Sequence, residues 1–280
     1  MKSNIGLLLF IFLILFGCKK DSNKNGSPPN IDGLSLYWDH VVFGTGGRRI
    51  RFEFYGTKQF ENSYDLVFKY SINQSNISII LADEIDKGKC PKVEPGWGND
   101  SLCTPSGGFD IPESLLPKGT YTLTLKTSSF QNTSDLIVGT DSIILNIPSN
   151  NNFSSTIHAI YPMPPNLLFG NVVYSGAENT TDATTFLNDL LTLGLVKTRV
   201  PNYPYLDLQV DKDGNAIDSS WPPDNYSLGI LYNMNNNFKD IFNLTKDYFS
   251  MSNINIYLFS SNGDQARFDK IDGIVVVYAK

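Results

Sequence analysis

Between Leu34 and Ile147 apolar and polar side chains alternate, and Gly, Pro, Asn and Ser interrupt the alternation at short intervals. LSLYW, RIRFEFY, YDLVFKY, ISIIL, TYTLTLK and SIILNI are runs of leucine, aromatic and β-branched residues with a period near two. That period sends successive side chains to opposite faces, so each run predicts a short strand with one buried face. GTGG, NQSN and PKGT between the runs have the composition of turns. After the polar run PSNNNFSS, Pro148 to Ser155, the pattern changes. Ala183, Phe186, Leu187, Leu190 and Leu191 recur at helical spacing, with Thr181 suited to cap, Asp182 to the first turn and Gly194 to close the helix. Phe238, Ile241, Phe242, Thr245 and Phe249 predict a second helix from Asn237 to Met251. Around both helices lie the strand-like runs LLFGNVVY, YLDLQV, YSLGILY, NINIYLF and GIVVVYA.

Two domains follow. Strands at short, regular spacing with no convincing helix predict an all-β, immunoglobulin-like sandwich over residues 31–150. The second half, 151–280, runs in the order β-α-β-β-α-β with one further strand, which fits an α+β, ferredoxin-like sandwich.

Ahead of both domains, Ile5 to Phe16 is an apolar run broken by Gly6 alone and preceded by Lys2. It is shorter than the roughly 20 residues that span a bilayer, and it matches a secretory signal peptide over residues 1–17. Leu15-Phe16-Gly17-Cys18 resembles the lipobox of bacterial lipoproteins, in which the cysteine thiol receives a diacylglycerol and becomes the mature N-terminus. Lys19-Lys20-Asp21 is similar to the start of many lipoproteins of the Bacteroidota. The resemblance implies a lipid anchor at Cys18 and a place in the outer membrane, facing the cell surface, with a periplasm-facing position as the alternative. Several acyl chains on one cysteine, at about 0.8 kcal/mol per buried methylene, hold a protein where one chain does not. Residues 18–30, rich in Asn, Gly, Ser and Pro with Lys19, Lys20 and Lys24, form a flexible tether beside the headgroups.

With Cys18 acylated, Cys90 and Cys103 remain as an even pair in an oxidising compartment, and a disulfide is the natural inference. The rival, a zinc site, needs four ligands, and no histidine lies near this pair. The segment that holds them, Asp83 to Gly108, also contains Trp97 in EPGWGND. Trp97 is the candidate for stacking on a sugar ring, against the simpler role of pinning the loop down.

Composition removes several functions. The chain has 22 Lys and Arg against 28 Asp and Glu, with no basic patch beyond the tether, so nucleic acid is not an expected partner. Gly44-Thr45-Gly46-Gly47 leads into a strand rather than a helix, so it reads as a hairpin turn and not a phosphate loop. Asp211 to Asp218 gathers acids, but its glycine sits at the fourth place rather than the sixth, which favours a reverse turn over calcium. Only His40 and His158 are present, and alternation sends His40 and its neighbour Asp39 to opposite faces. No metal site, cofactor or catalytic residue is assigned. The expectation is a non-catalytic binding or structural component of the cell surface, recognising a glycan or a surface protein. The alternative is a hydrolase or inhibitor-like module with a cleft between the domains.

Overall fold

The computed structural model describes residues 30–42, 47–91, 102–148, 152–200, 210–221, 224–235 and 237–277. Cys18, Trp97 and most of the Gly44–Gly47 cluster lie outside the described residues.

Ten strands form the first sheet. They are β1 (Leu34–Val41), β2 (Arg49–Gly56), β3 (Asn62–Asn73), β4 (Asn76–Lys89), β5 (Ser106–Pro112), β6 (Gly119–Lys126), β7 (Gln131–Val138), β8 (Ile143–Asn146), β9 (Phe153–Ser155) and β10 (Ala159–Ile160). Their order is β10-β8-β7-β6-β4-β3-β5-β2-β1-β9, with parallel pairs at β1/β9, β3/β5 and β4/β6. The immunoglobulin-like expectation fails here. A sandwich packs two separate sheets face to face, whereas this is one continuous mixed sheet that curls until β1 and β10 approach each other. The reason is local. The long β3–β4 hairpin pairs on one flank with β5 and on the other with β6, so no strand is left to found a second sheet.

Alternation along the strands then does what the sequence pattern promised. Leu34, Leu36 and Trp38 of β1, Ile50, Phe52 and Phe54 of β2, and Leu136 and Leu145 across the curl share one core. Complete burial of each large side chain contributes roughly 1.5–3 kcal/mol. Trp38 is fully buried, and its indole Nε1 donates to the Ile157 carbonyl at 2.7 Å, which joins the two ends of the curled sheet.

The second sheet contains β11 (Leu167–Ser175), β12 (Val196–Lys197), β13 (Ser219–Trp221), β14 (Asn225–Asn233), β15 (Ile254–Ser260), β16 (Gln265–Asp269) and β17 (Gly273–Val277). It is antiparallel, in the order β12-β14-β11-β15-β16-β17, with β13 paired to β14. Helices α1 (Thr180–Thr192) and α2 (Phe238–Met251) bury Phe186, Leu190 and Ile241 in a core shared with Leu168, Val172, Ile256 and Phe268 of the sheet. Gly194, at φ 85°, follows α1, and its N–H donates to the Leu191 carbonyl, as anticipated. Thr181 lies inside α1 and does not cap it, whereas Asn237 caps α2 by accepting from the Lys239 N–H at 3.0 Å.

The ferredoxin-like α+β expectation is also corrected. The described chain is mostly β, with two α-helices against seven strands in this sheet. Most of the expected strand YLDLQV lies outside the described residues. Beyond β15 the sheet continues through β16 and β17, because Ala266 and Phe268 carry its buried face onward and Phe268 meets Phe242 and Phe249 of α2. The QARFD segment of β16 is too short and too polar for its alternation to announce a strand. Among the described residues no helix is long and apolar enough to cross a membrane.

Cys90 and Cys103 form a disulfide, with Cα atoms 5.8 Å apart. Phe60 and Cys103 exchange backbone hydrogen bonds beside it, so the bridge fastens the end of β4 to the approach of β5. A thiol reagent applied to the unreduced protein should therefore leave both cysteines unlabelled. Replacing both by Ala should lower the unfolding free energy by about 3 kcal/mol; full labelling without reductant would exclude the bridge.

Candidate functional site

Two groups of charged side chains stand out, one between the sheets and one on the outside of the first.

Arg48 enters β2, and Glu113 opens the short turn that follows β5; the Glu113 N–H donates to the Arg48 carbonyl at 3.0 Å. The Arg48 guanidinium gives Nε to Glu113 Oε2 at 2.6 Å and an Nη to Oε1 at 3.3 Å. Its remaining bonds cross to the other half of the chain, to the Met163 carbonyl at 2.6 Å and the Ser261 carbonyl at 3.1 Å. His40 completes the group. Its Nδ1 accepts from the Met163 N–H at 3.2 Å, which leaves Nε2 as the proton carrier facing Glu113 Oε2 at 3.2 Å. Burial pushes the Glu113 carboxyl up, but the bonds from His40 and Arg48 outweigh it and hold the group at about 2. Beneath these bonds, Val42 and Met163 pack on Leu167, Phe169 and Leu231 of the second sheet.

A cavity of about 640 Å³ opens beside this seam, lined by Arg48, Glu113, Lys118, Thr140 and Asn262 among others. Its charged groups are already engaged. Lys118 donates to Thr140 at 3.1 Å and Asn262 to Asn166 at 3.3 Å, while Glu113 is the one acid in the lining. The His40 side chain is fully buried and held on both nitrogens, so it does not reach a substrate. The seam is a fastening.

The second group is built by strand register. Side chains that alternate away from the core put Tyr37 and Asp39 of β1, Arg49, Arg51, Glu53 and Tyr55 of β2, and Asp110 of β5 on one outer face. Asp39 lies opposite Arg51, Arg51 opposite Asp110, and Tyr37 opposite Glu53. Asp110 receives Arg49 Nε at 2.5 Å and Arg51 Nε at 3.0 Å. Burial raises the Asp110 carboxyl, and the two guanidinium bonds more than reverse it, so it sits below the usual carboxylate range. Tyr55 donates to Glu53 Oε2 at 3.0 Å, which orients its ring. Asp39 differs from its neighbours: its Oδ1 is buried and accepts no hydrogen bond. Burial, together with the Glu53 and Asp110 charges, pushes its carboxyl up against the pull of Arg51.

Between these side chains runs a floor of bare backbone. A Cβ on Gly107 would sit 1.9 Å from the Leu66 carbonyl oxygen, and one on Gly108 would sit 2.3 Å from that of Phe52. The close approach of β5 to both neighbouring strands therefore admits only glycine at the two positions. The result is a cavity of about 410 Å³ over Gly107 and Gly108, walled by Arg51, Glu53, Tyr55 and Asp110.

Of the residues singled out in the sequence, only the Cys90–Cys103 pair is brought together among the described residues, and it lies at the other end of β5 from Asp110. His40 and Asp39 occupy opposite faces, as alternation requires. The Asp211 loop is a turn: Asp211 Oδ1 accepts from the N–H groups of Asp213 and Asn215. No group of three His, Cys, Asp or Glu among the described residues is placed to hold a metal ion. The outer face was not anticipated. RRIRFEFY contains half of it as every second residue, but the partner β5 lies some fifty residues further along. No protein family matches this chain, and comparison with curated proteins and with solved structures returns no match.

Two substitutions test the electrostatics. Glu113 is depressed, so its contribution to stability is complete above its unfolded value of 4.5 and fades as the pH falls from there through about 2. Glu113→Gln should be less stable at pH 7 by about 2 kcal/mol, and urea titrations should show the gap closing towards pH 2; a gap independent of pH contradicts the assignment. Asp39 is raised, so its charged form at pH 7 works against folding, and that penalty fades as the pH falls through the folded value. Asp39→Asn should melt about 2 °C higher at pH 7, with the gain gone below pH 3.8; a lower melting temperature at pH 7 is the contrary result.

Proposed function

We propose that the protein is an exported lipoprotein, anchored through Cys18 to the outer membrane and displayed at the cell surface, where it binds without turnover. The observation that carries the binding half is the outer face of β1, β2 and β5. It combines exposed tyrosines, mutually paired charges and a glycine-floored cavity on a rigid sheet. A pocket bounded by a few fixed polar groups is the form small ligands and polymer ends use. The anchoring half is supported by the lipobox resemblance around Cys18 and by the Cys90–Cys103 disulfide, which belongs to an oxidising compartment. The tether of residues 18–30 would hold the folded part clear of the headgroups, free to meet an extended partner.

A hydrolase acting between the two sheets has less behind it. Paired-carboxylate hydrolysis needs two acids facing one bond, and the lining of the seam cavity holds Glu113, already tied to His40 and Arg48. Cells fed labelled palmitate are expected to label the full chain and to lose that label completely on Cys18→Ala. Label retained by the variant would remove the anchor.

A further inference from the structure

The outer face also constrains what it binds, and the following rests on its being the binding surface. Arg49 and Arg51 are both bonded to Asp110, and Glu53 lies 4.0 Å from Arg51. Two cations against the three acids Asp39, Glu53 and Asp110 leave the face without positive excess. A phosphate or carboxylate ligand would have to displace Asp110 from its guanidinium bonds, which are among the stronger hydrogen bonds a protein makes. An apolar ligand would bury the same network under hydrocarbon, which is costly for charged groups. What remains is a neutral ligand that both donates and accepts.

A sugar hydroxyl does both. It donates to the lone pairs that Glu53 and Asp110 keep, and it accepts from Arg51, whose bonds to Asp110 use Nε and one Nη. Tyr37 and Tyr55, 45% and 37% exposed, stand on adjacent strands of the same face, where their rings meet the C–H face of a pyranose. The floor over Gly107 and Gly108 lets a ring approach the backbone, and the volume of about 410 Å³ lies in the range that takes a small ligand.

We propose that the β1–β2–β5 face binds a neutral, hydroxyl-rich chain, an oligosaccharide seated over Gly107 and Gly108 against Tyr55 and running across β2 to Tyr37 on β1.

Calorimetric titration of the full chain with neutral hexasaccharides of glucose, xylose, mannose and arabinose tests this, with a hexasaccharide of galacturonic acid as the charged arm. At least one neutral chain should bind, with affinity at least tenfold weaker in Tyr37→Ala and in Tyr55→Ala. Tyr55→Phe, which keeps the ring, should hold within about threefold of the parent. Tyr161→Ala, a comparably exposed tyrosine elsewhere, should change nothing. Melting curves confirm that each variant is folded, and both face tyrosines leave the core intact. Silence from every neutral chain, or undiminished binding in both alanine variants, overturns the proposal. If only the acidic chain binds, and the tyrosine variants abolish it, the ligand class is wrong while the face stands as a binding surface. Loss of the lipid anchor would count against the display reading alone.

Discussion

One guanidinium holds the two sheets in register. Arg48 satisfies Glu113 within the first sheet and the carbonyls of Met163 and Ser261 beyond it, while His40 accepts from the Met163 N–H on the same line. A point charge on a flexible stem would not reproduce this. The planar fork of an arginine reaches two carboxylate oxygens and two carbonyls at once, with fixed directions between them. Because Glu113 begins the turn after β5 and Arg48 immediately precedes β2, the fastening also pins the ends of the two strands that make the outer face. The internal seam and the solvent-facing cavity thus share a scaffold, with inward residues of β1 and β2 serving one and outward residues the other.

The same economy explains why the face is rigid. β5 lies between β2 and β3 so closely that Gly107 and Gly108 admit no side chain, and that closeness is a packing demand before it is a binding feature. On a sheet face the side chains of neighbouring strands normally fill the space above the backbone. Gly108, opposite Glu53 on this face, removes that filling, and the walls of Arg51, Glu53, Tyr55 and Asp110 are then held apart by strand spacing rather than by loop conformation.

The positions of β1, β2, β3, β4, β6 and β8 and of both helices were legible in the sequence because they depend on local periodicity, whereas short or polar strands such as β5, β7 and β16 were not. Trp38 and Phe52 alternate inward, and Phe186 and Leu190 line a helix, whatever the strands pair with. Sheet membership was not legible, because it depends on partners far apart in sequence. Nothing in TYTLTLK says that β6 pairs parallel with β4, and that pairing decides between a sandwich and one curled sheet. Nor does FSS, the whole of β9, announce itself as the parallel neighbour of β1. The outer face failed to show for the same reason. Arg49 and Arg51 read as ordinary solvated charges until Asp110 is known to lie across from them. The disulfide was legible because the expected compartment and the cysteine count restricted it without any geometry.

The parallel pairing of β1 with β9 carries a consequence for how the chain comes to be folded. β1 is the first of the described strands along the chain, yet among the described residues its outer edge is covered only by Phe153–Ser155, and the Trp38 indole finds its carbonyl 119 residues further along. Local hairpins such as β3–β4 close as soon as they emerge, whereas β1 waits with an open edge and a large apolar ring uncovered. Contacts of such long sequence separation form late and leave the intermediate prone to association. The first sheet is therefore sealed from its far end, and a chain halted before residue 153 would present β1 as a bare template to its neighbours.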